Sequence, residues 1–280
     1  DLGGAILNSE EVSRFVLHYT LNLWQSSYAS GVYAANNLGK KGAIVASMYD
    51  GGYHMTPAFS SAFEKNGGTI SSFYVSPLDY KSESFGTMVD EIKHTNPDFI
   101  YVLFSFKEGS KVLETLAKSS IHSKTPILAS PMATATHHTS GLELHNMLSI
   151  ASWSFDASSM PMQSFVDQLK KKYDQQPTVF ALLGYEIGKV VAEYIASDKT
   201  EDGFSAILNG KHIEMPRGSV YFDDRNESMI AEFVVRNWIN TDGSYRNVVK
   251  EKIKLHFDQE TYQDLEQLPT VSWQNPYTCT

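Results

Sequence analysis

The chain has 280 residues, 42% hydrophobic and 12% aromatic, enough apolar material for one large or two ordinary domains and too much for a disordered or collagen-like chain. With 23 Lys+Arg against 32 Asp+Glu the net charge is −9, so the basic face needed for non-specific nucleic-acid or anionic-membrane binding is lacking. No run of about 18 apolar residues occurs, and a single cysteine, Cys279, leaves no intrachain disulfide and no cysteine-based zinc site.

Residue 1 is Asp, and DLGGAILNSEE carries neither a basic nor an apolar leader region, so the expectation is a removed signal or a piece of a longer protein. Residues 1–17 supply one short run, Glu11–Leu17. From residue 42 a regular alternation sets in. Apolar β-rich runs stand at Ala43–Ser47, Thr69–Val75, Asp98–Phe104, Pro126–Ala129 and Met147–Trp153. Between them, Tyr53–Lys65 reads as a helix stopped by Asn66-Gly67-Gly68. Ser84–His94 puts Phe85, Met88, Val89 and Ile92 on one helical face, and Glu108–Ser119 does the same with Val112, Leu113 and Leu116. That order is a parallel sheet with crossover helices.

After residue 153 the texture changes. A turn-rich connection, Ser154–Pro161, leads to helices at Gln163–Tyr173, Val179–Ser197 and Phe204–Leu208. Strands are expected at Gly218–Phe222 and Ala231–Ile239, with a tight turn at Asp223–Asn226. From Gln259 the chain is polar and proline-punctuated. The expected division is a partial first lobe of 1–17 and 155–228, a second lobe of 18–154 and 229–258, and a tail of 259–280.

Little in the sequence points to catalysis or to a cofactor, and neither is expected. His137, His138 and His145 match no zinc spacing and sit among polar residues. No G-x-S-x-G elbow occurs, and the glycine pairs at 3–4, 51–52 and 67–68 form no nucleotide-binding loop. Asp79, Glu83, Asp90 and Glu91 read as solvated carboxylates, and Lys170-Lys171-Lys172 suits a helix C-terminus. Asn226-Glu227-Ser228 fits the glycosylation pattern, a weak match on its own.

The segment Gly42–Gly68 resembles the second lobe of type I periplasmic solute-binding proteins, the leucine/isoleucine/valine-binding branch: a strand, a D-x-x-Y-G-like turn, a helix ending in Gly-Gly, and a strand. Asn96–Tyr101, Phe180–Glu186 (FALLGYE) and Arg217–Asp223 (RGSVYFD) resemble further motifs of the family, as do Asn8-Ser9-Glu10-Glu11 and the following FVLHYT. The ordered match spans residues 5–240 and lacks the opening part of a typical first lobe. The resemblance implies an α/β fold of two Rossmann-like lobes with parallel sheets, one of them incomplete. It also implies a periplasmic or other extracytoplasmic location and a small ligand held between the carboxyl ends of the strands, with hinge closure.

Ligand contacts are expected in the loops after strands. The loop Ser47–Tyr53 offers Tyr49, Asp50 and Tyr53, beside two glycines that permit close backbone approach. Ser105 and Phe106 follow the third strand and Ser130 the fourth. On the facing lobe the resemblance implies Phe180 as a cleft aromatic, Asn8 and Ser9 as carboxylate contacts, and Tyr185 as a packing residue. Met132 stands where the branch often carries an acid for the ligand's ammonium group, and Leu7 where a Thr is expected.

The expected function is non-catalytic binding of a polar or amphipathic solute, an amino acid or related carboxylate, as receptor of an ABC-type importer. The expected partners are the ligand, an ABC permease, and a second copy or partner chain completing the first lobe, with no nucleic acid. Two alternatives stay open on sequence alone. One is a ligand-sensing domain of the same fold; the other is an α/β enzyme using His54 or Asp50 as an acid–base group.

Overall fold

The computed structural model describes residues 3–5, 12–50, 54–77, 84–119, 121–135, 143–156, 158–197, 202–241 and 244–267. The first part of the chain runs α1 (Leu23–Asn37), β1 (Lys41–Ser47), α2 (Met55–Lys65), β2 (Thr69–Ser76), α3 (Ser84–Thr95) and β3 (Phe99–Leu103). It continues through α4 (Phe106–Lys118), β4 (Ile127–Ala129), β5 (Met147–Ala151), α5 (Met160–Tyr173), α6 (Val179–Ile195) and α7 (Phe204–Leu208). Strands β6 (His212–Met215), β7 (Gly218–Phe222), β8 (Ser228–Ile230), β9 (Glu232–Thr241) and β10 (Ser244–Lys254) follow, then α8 (Gln259–Glu266).

Seven strands form one sheet in the order β10-β9-β5-β4-β3-β1-β2. The five expected strands pair in parallel, with Ala43 opposite Ile100 and Ile127 opposite Met147. The inner strands β1, β3, β4 and β5 are covered on both faces and are largely apolar, whereas the edge strand β2, TISSFYVS, is half-exposed and carries serines. Along β1, Ile44 and Ala46 face α1 and α2, where Phe59, Phe63 and Tyr101 pack with them. Ala43 and Val45 face α3 and α4 with Phe85, Met88, Val112 and Leu116. Tyr101 stacks on Phe59 at 3.9 Å and gives its buried hydroxyl to Ser27 Oγ at 3.0 Å, so the core tyrosine is satisfied.

Helix α1 has no counterpart in the expected elements. Its buried residues, including Trp24, Gln25, Ser26, Ala29, Ser30, Tyr33 and Ala34, lie around most of its circumference, so no single apolar stripe marks it. Gly31 lets it touch α2: a Cβ there would stand 2.4 Å from the Phe59 carbonyl oxygen.

The sheet is not wholly parallel. β9 runs antiparallel to β5, with Ile150 opposite Val235, and β10 returns along β9 as a hairpin. β10 was not expected because its alternating, half-exposed SYRNVVKEKIK carries too little apolar signal. The second sheet, β6-β7-β8, is antiparallel where parallel lobes were expected. The connections inside it are two and five residues long, too short for the crossover a parallel pair needs. It packs under α6 and α7 around Tyr19, Val190, Leu208, Met215, Val220 and Phe222.

The chain passes between the two sheets near residues 18–22, 152–158 and 227–231, and buried polar groups tie these passages together. Ser228 N–H donates to His18 O, and Ser152 Oγ donates to Leu21 O at 2.8 Å. Arg217, fully buried at its side chain, lies 2.8 Å from Glu186 and donates to Asn22 Oδ1, Ser152 Oγ and Thr20 O. Asn22 itself takes a left-handed φ of 54°. In the expected tail, α8 is a helix capped by Asp258 and pinned to α2 by Lys65 with Glu260 and Asp264. Its Tyr262 hydroxyl reaches Asp223 and Glu227 in the β7–β8 turn.

Candidate functional site

Strand order fixes where a crevice forms. From β1 the chain moves outward to β2 and then back past β1 to β3, β4 and β5. The switch therefore lies between β1 and β3, and their carboxyl ends diverge there to leave a crevice. Those ends carry Ser47 and Asp50 on one side and Ser105 and Phe106 on the other.

Asp50 and Ser105 meet directly. Ser105 Oγ donates to Asp50 Oδ1 at 3.0 Å, and Ser47 Oγ donates to Asp50 Oδ2 at 2.9 Å. Burial pushes the Asp50 carboxyl above the usual carboxylate range, against those serine hydrogen bonds. Behind it, Glu108 accepts from Ser76 Oγ at 2.8 Å and is also raised, chiefly by burial and further by Asp50. Glu108 and Ser76 belong to the site although sequence reasoning missed both; Glu108 was visible only as a helix start.

Ser105 is the N-cap of α4, yet its hydroxyl serves Asp50 instead of capping the helix. Phe106 then begins the helix with φ 48°, a conformation that side chains larger than Asn rarely adopt. Its N–H points to Met132 O at 3.4 Å. Its ring lies 6.0 Å from Phe180, inclined by 20°. Phe180 is the second residue of α6, held after the N-cap Thr178, whose Oγ accepts from Ala181 N–H at 3.1 Å, and it remains 52% exposed.

The other sequence candidates distribute as follows. Tyr49 is exposed on the turn after β1. Ser130 is buried, its hydroxyl donating to Phe104 O at 2.8 Å, so it braces the loop after β4 against β3. Asn8, Ser9 and Tyr53 lie outside the described residues, as do His137 and His138. Tyr185 packs against Phe165 at 5.2 Å. His54, at the start of α2, accepts from Ala5 N–H at Nδ1, and burial holds its pKa below the usual imidazole value, so the ring is neutral with its proton on Nε2. Asn226 of the glycosylation pattern is buried and bonded to Ser13 O and Ser205 Oγ.

A family model described as periplasmic binding protein matches residues 1–243. No curated protein sequence matches significantly. Among solved structures, the chain is similar to an ABC-transporter solute-binding protein from Rhodopseudomonas palustris BisB5, in complex with 3,4-dihydroxybenzoic acid. That match has TM-score 0.74 and 22% identity and covers 92% of this chain and 72% of that one. The leucine binding protein LivK from Thermotoga maritima MSB8 gives 0.67 and 20%, over 88% and 71%. A substrate-binding protein from Desulfitobacterium hafniense in complex with Leu gives 0.67 and 18%, over 86% and 69%. At these identities the likeness is one of fold.

Proposed function

The chain belongs to the type I periplasmic binding proteins, and we propose that its ligand is a small carboxylate with an apolar body, held in the crevice at the carboxyl ends of β1 and β3. Its role is that of a solute receptor for an ABC-type importer, outside the cytoplasm, as the family implies. The observation that supports the ligand site is the pair Phe106–Phe180, one ring from α4 and one from α6, meeting beside the strand switch point. An apolar wall formed by two contacting phenylalanines suits an aromatic or branched aliphatic ligand body.

Each Asp50 carboxylate oxygen accepts one serine hydroxyl and Glu108 Oε1 accepts Ser76 Oγ, and position 132 is a buried methionine. No dedicated acid for an ammonium group stands among the described residues of the β4 loop, which favours a simple organic acid over an amino acid. The relatives in complex with 3,4-dihydroxybenzoic acid and with leucine bracket that choice. Calorimetric titration with benzoate, 4-hydroxybenzoate and leucine tests it: benzoates binding at least tenfold tighter than leucine is the expected order.

Beyond Phe180, helix α6 shows an exposed apolar stripe formed by Ile187, Val191 and Ile195. This is the surface against which a lobe-completing chain, or a second copy, would pack. Light scattering of the purified chain tests it, with a monomer at all concentrations as the contrary result.

A further inference from the structure

Arg236 lies within β9 and is only 3% exposed, yet no carboxylate pairs with it among the described residues. Its Nε donates to Ser149 Oγ at 3.0 Å and its Nη1 to the Trp153 carbonyl oxygen at 3.4 Å, while Nη2, also buried, has no partner. Both acceptors are neutral. Ser149 Oγ in turn donates to Asn247 Oδ1, and Asn247 Nδ2 donates to Thr134 O, so the network around the guanidinium holds no negative charge. The Trp153 ring centre lies 5.5 Å from the guanidinium carbon, a cation–π contact that brings no countercharge. Burial pulls the Arg236 pKa down to about 9, which leaves the group cationic at neutral pH. Arg217, also buried, is balanced by Glu186. A buried cation without such a partner is costly, and an anion removes the cost.

Space for one lies against this residue. Val249, paired with Arg236 across the β9–β10 ladder, and Val234, two positions along β9, share its face of the sheet. Both line a cavity of about 410 Å³, and so does Trp153. The acids of that cavity do not neutralise the guanidinium: Glu232 pairs with Lys252, and no ion pair joins Asp156 to Arg236.

The groups on offer select the occupant. Arg236 presents one positive charge and the two N–H groups of Nη2, and the side chains on its face toward the cavity are two valines and an indole ring. Sulfate or phosphate would bring a second charge and several oxygens with too few donors to meet them. A monovalent ion of chloride size, with little hydration to lose, needs no more than this charge and these N–H groups.

We propose that Arg236 is the anchor of a halide site, in which a chloride-sized anion accepts the Nη2 N–H groups beside Val234, Val249 and Trp153. The ion is distinct from the solute of the front crevice. It neutralises the charge that Ser149 of β5 and Arg236 of β9 enclose, so the folded chain gains stability as halide concentration rises.

Thermal melts of the full chain, dialysed free of halide, are run from about 1 to about 100 mM sodium bromide, with sodium gluconate holding the ionic strength constant. The wild-type melting temperature should rise by about 2 °C for each tenfold increase in bromide once the site fills. Arg236→Met, close in volume and without the charge, should show no bromide dependence. A bromide-soaked crystal should give an anomalous peak against Arg236 Nη2, and that peak decides the question where the variant does not fold. Equal bromide shifts in both proteins, no shift in wild type, or no anomalous peak at Arg236 overturns the site. A peak at Arg236 without a wild-type shift would be an adventitious ion only, and overturns it as well.

Discussion

Phe106 and Phe180 lie 6.0 Å apart and nearly parallel, although they are 74 positions apart in sequence and stand in the first turns of two different helices. The Phe106 ring is delivered by a backbone at φ 48°, a strained conformation costing about 1–3 kcal/mol that the packing around Ser105 and Met132 sustains. Strain retained at the mouth of a crevice marks a place where side-chain position matters more than local stability. Because Phe180 is half exposed, Phe180→Ala should leave the melting temperature within about 2 °C. Benzoate affinity should fall about tenfold, from the lost aromatic pairing and burial. Calorimetry and a thermal melt on the same sample separate the two effects.

Asp50 gives a pH prediction. Its folded carboxyl is raised by burial, so the charged form is disfavoured in the native state. The wild type thus loses stability as pH rises from the ordinary carboxylate range through the raised value, and carries the full cost above it. Asp50→Asn has no charge to bury. Its melting temperature relative to wild type should therefore climb from pH 4 to pH 7, and Glu108→Gln should move the same way. A difference that stays flat or falls over that range would sink the burial argument.

The Arg217–Glu186 pair beside the passages between the two sheets is buried on both sides. Arg217→Met alone strands the Glu186 charge and should cost about 3–5 kcal/mol in urea unfolding. Adding Glu186→Leu should restore much of that loss, because an apolar pair of similar volume needs no desolvation. A single variant within about 1 kcal/mol of wild type would mean that the pair contributes little.

Gly31 sets two effects against each other. Alanine is the better helix former by about 1 kcal/mol, but its Cβ would press into the Phe59 carbonyl at 2.4 Å and Ala62 Cβ at 2.8 Å. Overpacking costs about 1–3 kcal/mol, so Gly31→Ala should lower the melting temperature. An increase would show that α1 and α2 separate easily.

The inner parallel strands were legible because they are buried on both faces, and β2, half-exposed at the edge, because Gly67-Gly68 and its β-branched and aromatic residues mark it. Elements whose signal depends on tertiary context were not. α1 is wrapped on most sides and shows no stripe. β10 is a polar edge that gains its place by pairing with β9. α8 is fixed by Tyr262 and Lys65 reaching distant partners. At the site, loops after strands were a sound guide to Asp50, Ser105 and Phe106. Glu108 and Ser76 escaped notice because their hydrogen bond joins residues 32 apart, and nothing in the local sequence records it.

The most direct test of the receptor assignment is a thermal melt with benzoate, on wild type and on the Phe106→Ala, Phe180→Ala double variant. Ligand at 100 times its Kd stabilises by about 2.7 kcal/mol, or about 4–5 °C for a chain of this size. A rise of that order in wild type, absent from the double variant, is the predicted result. An equal rise in both proteins, or none in wild type with benzoate at millimolar concentration, would contradict a carboxylate site against these two rings.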